Sequence, residues 1–552
     1  MELDSSAAAG SRSGGVGSAP MTPRPAAAAE QEDSIKSCPP SQYHSPSMSR
    51  SPLLITTATG DLPCSGGGGQ GGSSAASAPN RTPKERSRFT TPLGSPLRKA
   101  LRMTRLDPQD AWLPITQSRN GNAFYAAFHT LCSGIGFQAL ILPVSFTILG
   151  WAWGMGCLAG AFIWQLYTLY AMVQLHENVD AGVRYSRYMQ LATATFGEKW
   201  GKLLAAFPIG YLSAGTCTTL IIIGGSTAKM LYQTLCGGTT TACASSSNPL
   251  TNAEWYLVFT CAALLLSQLP NLNSIAGVSL VGALTAIAYC TLIWAVSVAQ
   301  GRLPDVSYHP IKRRGGTQLG RIFEILNAVG IIAFAFRGHN LILEIQATMP
   351  SSEKQPSRVP MWRGVKLAYL LVAMCLFPLA VGGYWAYGQL IPTNGSGMLT
   401  ALYTFHRHDV SRGVLGLVSI CVILNALSSF QIYGMPTFDD MESMYTTKFN
   451  RPCPWWTRGI LRAVFAFVCY FMAVAIPFLA SFAGLIGGIA LPVTFSYPCF
   501  MWLKAKKPKR YGGMWWLNWV LGLTGVGLSG TVIAASLYIV VDTGVKISFF
   551  KP

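Results

Sequence analysis

The chain is poor in charge: of 552 residues only 11% are Asp, Glu, Lys or Arg, while 50% are apolar. A soluble domain carries about a quarter charged residues, so the deficit argues against an ordinary soluble fold. Acidic residues are scarcest, 22 against 41 Lys and Arg, giving a formal net charge of +19. The fourteen cysteines include no Cys-x-x-Cys pair, so neither a metal centre nor a disulfide framework is expected. There is no Walker-type phosphate loop, so a self-contained ATP-driven pump is not expected. No Gly-x-Ser-x-Gly, paired catalytic aspartates or metal-binding histidine helix occurs, so neither an enzyme nor a catalytic residue is expected. The start, Met1-Glu2-Leu3-Asp4-Ser5, lacks a basic stretch followed by an apolar core, so no cleavable signal peptide is expected. The alternating pattern of a β-barrel is missing too.

What is present is a series of long apolar runs. A run of ~20 apolar residues crosses a hydrocarbon core as a helix, because backbone groups in lipid must pair internally. Eleven such runs follow residue 119, at 122–148, 152–175, 203–234, 255–269, 274–299, 321–347, 364–388, 411–435, 458–478, 481–503 and 514–541. The expected fold is therefore an all-α polytopic membrane domain over 119–552. It would comprise two inverted five-helix repeats plus one extra helix.

Residues 1–118 are rich in Ala, Gly, Ser, Pro and Thr and predict a disordered cytosolic tail. Thr22, Ser45, Ser51, Thr82, Thr91 and Ser95 each precede proline. They are either kinase targets or ordinary disordered composition. The basic stretch Leu97–Leu106 is either a short helix resting on anionic lipid or a plain positive stop before the first span.

Orientation follows from Lys and Arg. A cytosolic tail puts Arg184, Arg187, Lys199, Lys202, Lys354, Arg358, Arg363, Lys366, Lys448, Arg451, Arg458, Lys504, Lys506, Lys507, Lys509 and Arg510 inside. The basic residues thus follow topology, and nucleic acid is not an expected partner. One loop disobeys, since Arg302, Lys312, Arg313 and Arg314 fall outside. The sequon Asn394-Gly395-Ser396 also falls outside, where glycosylation can occur. So do Cys236 and Cys243, where a disulfide can persist. An odd number of spans leaves the C-terminus outside. Trp151, Trp153, Trp455, Trp456, Trp515 and Trp516 sit near span ends, as in an aromatic belt.

Two spans carry breaks. The first reads Ser133-Gly134-Ile135-Gly136-Phe137 and reaches Pro143; the sixth reads Phe336-Arg337-Gly338-His339 and ends at Pro350. An arginine at mid-depth costs at least ~2.5–3.5 kcal/mol on insertion scales, so Arg337 needs water, a counter-ion or a ligand. Paired glycine breaks in corresponding spans of two halves point to a transporter site. Unwinding frees backbone N–H groups that suit a carboxylate and C=O groups that suit an ammonium. An α-amino acid carries both. Glycine in membrane helices also serves plain close packing, which is the competing reading of Gly134 and Gly136.

These stretches resemble plant transporters of the amino acid/auxin permease family, lysine/histidine transporter subgroup. The resemblance rests on Gly134-Ile135-Gly136 with Leu142-Pro143 and Leu149-Gly150-Trp151, and on Gly338-His339-Asn340 with Leu343 to Pro350. Phe430-Gln431-Ile432-Tyr433-Gly434-Met435-Pro436 adds to it. It spans about 119–550 and implies proton-coupled uptake of amino acids at the plasma membrane, with no cofactor beyond the gradient. Arg337 and Phe137 stand where the family usually has small residues, which charges and narrows the implied pocket. Arg337 then either disfavours cationic substrates or stands in for a coupling cation.

The expected substrate site is Ser133, Gly134, Ile135, Gly136, Phe137, Phe336, Arg337, Gly338 and His339. His339, Glu344, Ser428 and Ser429 are candidates for proton or cation coupling. His339 and the more distant His129 also admit a purely structural role, Glu344 an ion-pair role, and the two serines bonds to the preceding turn. Asp439, Asp440 and Glu442, just beyond the eighth run, are expected to form a solvated acidic cluster. The expected function is secondary active amino-acid transport. A sensing receptor that keeps the fold but moves little substrate is the alternative.

Overall fold

The computed structural model describes residues 121–178, 183–185, 187–236, 250–268, 276–310, 317–352, 355–393, 395–449, 453–475 and 479–543. The tail with its Ser-Pro and Thr-Pro sites, and Cys243 and Asn394, lie outside these residues. Cys236 is disulfide-bonded.

Among the described residues the protein is helical apart from a two-residue ladder pairing Glu177 with Arg184 and Asn178 with Val183. In chain order the α-helices are α1 (Ala123–Gly134), α2 (Gln138–Leu175), α3 (Tyr188–Phe196), α4 (Glu198–Cys236) and α5 (Asn252–Leu266). Then come α6 (Ala276–Ala299), α7 (Gln318–Ala335), α8 (His339–Ala347), α9 (Arg358–Tyr387) and α10 (Met398–His406). The last are α11 (Arg412–Phe449), α12 (Trp455–Ala475), α13 (Leu479–Leu491), α14 (Tyr497–Lys506) and α15 (Gly513–Thr543). A single π-helical turn, Pro492–Ser496, joins α13 to α14. Nine segments among the described residues are long and apolar enough to cross a membrane; α5 is apolar but shorter.

Local chemistry sets the helix starts. Asn122 accepts from the backbone N–H of Phe124 and Tyr125 at the start of α1, and Thr251 and Glu254 form a capping box on α5. The α2 helix, at 38 residues, would run about 57 Å at 1.5 Å per residue, nearly twice a hydrocarbon core. It does not run straight. Gly150 has φ 73° and ψ −175°, a conformation open essentially to glycine alone, and turns the chain between Leu149 and Trp151.

Apolar side chains face two ways. On α12, Val464, Phe467, Val468 and Phe471 repeat at helical spacing and are exposed, the pattern of a lipid-facing stripe. The interior is built around the two interrupted segments. α1 lies among α6, α9 and α11, α7 lies among α2, α13 and α15, and α8 touches both α1 and α2. Small residues permit these approaches: a Cβ on Gly282 of α6 would sit 2.6 Å from both Cys132 Sγ and Ser428 Cβ.

One expectation is corrected. Asp439, Asp440 and Glu442 read as a solvated acidic cluster beyond the eighth span. Instead α11 continues to Phe449 and Asp439 is buried against Arg187, while Asp440 stays exposed, 3.5 Å from Arg187. Glu442 bridges Arg458 at 3.0 Å and buried Arg462 at 2.8 Å. Ion pairs largely shielded from solvent satisfy the charges of Asp439 and Glu442 on this extension, information that local composition does not hold. Arg302, one of the four cations that disobey the charge rule, lies over the Tyr308 ring and donates to the Val306 carbonyl; the other three lie outside the described residues.

Candidate functional site

Both breaks are real interruptions of helix. α1 ends at Gly134; Ile135 is extended, with φ −117° and ψ 128°, and helix resumes at Gln138. α7 ends at Ala335, Phe336 leaves helical geometry, and Gly338 takes φ 109° before helix resumes at His339. Only glycine holds that φ without strain.

The two breaks touch. A Cβ on Gly338 would lie 3.3 Å from Ser133 Oγ, and one on Gly136 would lie 3.4 Å from Arg337 Nη2. Gly136 is also flanked by Gln138 Oε1 and Asn425 Oδ1, at 2.9 and 3.7 Å from the same point. The missing side chain thus lets a guanidinium nitrogen and two amide oxygens converge there.

Loose backbone at the breaks is tied by side chains from neighbouring helices. Carbonyls that α1 would have paired internally are taken in turn. Ser429 donates to Cys132 O at 3.3 Å, Tyr433 donates to Ser133 O at 2.7 Å, and Gln138 Nε2 donates to Gly134 O at 3.0 Å. At the other break, Gln165 donates to Phe336 O at 2.9 Å. The backbone N–H groups of Gly136, Phe137 and Gln138 have no acceptor among the described residues. They form the open N-terminus of α2, where partial positive charge collects.

Arg337 lies at the centre. It is 1% exposed. Its Nε donates to the Tyr433 hydroxyl at 3.0 Å, and its guanidinium carbon sits 4.5 Å from the Phe137 ring centre, 4.7 Å from Phe334 and 4.8 Å from Tyr433. Three aromatic faces thus supply quadrupole in place of a counter-ion. No carboxylate pairs with it among the described residues, and its Nη1 is buried without an acceptor.

The remaining expected residues divide. Ser133, Gly134, Ile135, Gly136, Phe137, Phe336, Arg337 and Gly338 gather at the breaks, all buried. His339 opens α8 but turns its Nε2 to Thr168, 2.8 Å away; its Nδ1 has no partner. The Thr168 hydroxyl is also within reach of the carbonyls of Gln165 and Trp164, at 3.0 and 3.2 Å. Ser428 bonds the carbonyl of Leu424, while Ser429 reaches across to α1. Glu344 makes no ion pair among the described residues; the charges acting on it are Asp440 and Arg187, away from both breaks. His129 bonds Ser279 on α6.

Sequence reasoning passed over Asn425, Tyr433, Gln138 and Gln165. A signal existed for two of them: Asn425, Ser429 and Tyr433 are spaced by four, on one face of α11. Gln165 carried none beyond being an amide inside an apolar run.

Comparisons with known proteins fit this geometry. Residues 119–541 match the family described as transmembrane amino acid transporter protein. Lysine histidine transporter-like 8 of Arabidopsis thaliana is 54% identical over 476 residues, covering 84% of this chain and 90% of that protein. Lysine histidine transporter-like 7 of Arabidopsis thaliana is 45% identical over 450 residues, covering 81% and 90%. Among solved structures, MhsT in complex with L-phenylalanine superposes with a TM-score of 0.51 at 11% identity, covering 76% of this chain and 99% of that one, a likeness of fold alone. A multi-pass helical chain so similar to named transporters is a membrane transporter of amino acids and not an enzyme. The chain belongs to the transmembrane amino acid transporter family, within the lysine/histidine transporter subgroup of plant amino acid permeases.

Proposed function

We propose that this protein is a proton-coupled symporter that holds its amino-acid substrate between the breaks of α1–α2 and α7–α8 and works at the plasma membrane. The observation that carries the reading is the contact of the two breaks, where the N–H groups of Gly136, Phe137 and Gln138 have no acceptor among the described residues and buried Arg337 lies beside Gly136. A carboxylate fits such N–H groups, and amide oxygens such as those of Gln138 and Asn425 suit an ammonium.

Eleven crossings follow if the turn at Gly150 separates two of them, α1 with α7 and its continuation α8 each belong to an interrupted crossing, and α5 counts as one. The breaks then fall in crossings one and six, as inverted five-helix repeats require. The Lys and Arg distribution supports a cytosolic N-terminus and an extracellular C-terminus. His339, buried with a bare Nδ1 beside the break, is the group we assign to accept the coupled proton. The lysine and histidine in the relatives' names do not transfer easily, because Arg337 charges the site.

Uptake of labelled amino acids into transport-deficient cells, with pH and sodium varied, tests this. Accumulation against a gradient that collapses with an uncoupler supports it. Binding without accumulation would favour a sensor, and accumulation that survives the uncoupler would remove proton drive.

A further inference from the structure

We infer that Arg337 sets the charge of the substrate: the site is built for amino acids of net negative charge, such as the dicarboxylic ones, and disfavours cationic ones. The inference rests on the transport reading above and names its substrate class.

The argument is a count of charge. Arg337 is a permanent cation, buried at the breaks, and no carboxylate among the described residues neutralises it. The ionisable groups that act on it are Tyr433, Cys217 and Tyr289, phenols and a thiol that are uncharged at neutral pH. Its Nε is satisfied by Tyr433 and its flat faces by Phe137, Phe334 and Tyr433. What remains is an unsatisfied Nη1, and an Nη2 beside Gly136 where the substrate backbone is proposed to bind.

A zwitterion leaves such a site with one positive charge, a dicarboxylate brings it to neutrality, and a cationic amino acid leaves two. In a site of low dielectric the three differ strongly in charging energy. The α-carboxylate takes the free N–H groups of Gly136, Phe137 and Gln138, and the second carboxylate is free to take the guanidinium. A hydrogen bond to a charged group corresponds to about ten- to hundredfold in affinity.

The test uses the purified full chain in proteoliposomes at neutral pH with a fixed proton gradient, taking up labelled glutamate, alanine and lysine. Wild type is expected to follow the order glutamate, alanine, lysine, with at least about tenfold between the ends. Arg337→Met is expected to bring glutamate and lysine together, and Arg337→Lys to keep the order. Alanine or lysine ahead of glutamate in wild type, or an unchanged ratio in Arg337→Met, overturns the inference while transport stands. No uptake above protein-free vesicles overturns the transport reading and this inference with it. Should Arg337→Met fail to purify as a folded protein, the wild-type order and that of Arg337→Lys decide.

Discussion

Among the described residues the hydroxyl of Tyr433 is the one atom that bonds to both breaks, so Tyr433→Phe is the most informative single change. The hydroxyl donates to Ser133 O at 2.7 Å and accepts from Arg337 Nε at 3.0 Å. Removing it keeps the ring that faces the guanidinium and leaves two buried groups unpaired. A stranded carbonyl costs about 1–3 kcal/mol, and a stranded donor on a cation about as much or more. The expected loss is therefore about 3–5 kcal/mol. It is nearer about 1 kcal/mol if the guanidinium swings to bond Ser133 O directly. A double-mutant cycle separates contact from coincidence. Met at 337 removes the donor, so Tyr433→Phe in that background should cost less, with a coupling energy of about 1.5–3 kcal/mol. Unfolding of the purified protein in detergent, followed for wild type, both single variants and the double variant, measures it. Additivity within about 0.5 kcal/mol would refute the link between the breaks through Tyr433.

Three further outcomes are expected. Gly338→Ala forces a side chain onto φ 109° within 3.3 Å of Ser133 Oγ; it should lower stability by about 1–3 kcal/mol and cut uptake more than Gly413→Ala, whose surroundings are open. Burial, then the charge of Arg184, holds the His176 imidazole down at about 4. Folding stability should thus be flat above about pH 6.5 and fall as pH drops toward the folded value, losing about 2 kcal/mol by about pH 5, because the unfolded chain takes up the proton first. Thermal melts across that range should show the slope, and His176→Gln should flatten it. Glu442→Gln removes the carboxylate 2.8 Å from buried Arg462 and should destabilise by about 3 kcal/mol, read by the same melts. Arg462→Met in the Glu442→Gln background should recover part of that loss.

The sequence by itself determined the class of the molecule and the places where its helices fail. Long apolar runs leave no other way to satisfy the backbone in lipid, so helices follow from composition. Gly136 and Gly338, with polar neighbours in the middle of such runs, marked both breaks because helix interruption is a local event. Arg337 stood out for the same reason, as a cation at a depth where cations are costly. The tertiary structure alone decided what these features meet. Tyr433 and Gln165 lie far along the chain from the carbonyls they bond, and Asp439 and Glu442 changed from members of a solvated cluster to shielded ion-pair partners of Arg187, Arg458 and Arg462. Local sequence reports what a segment requires of its surroundings; which side chain answers depends on packing between distant helices, and that exists only once the chain has folded.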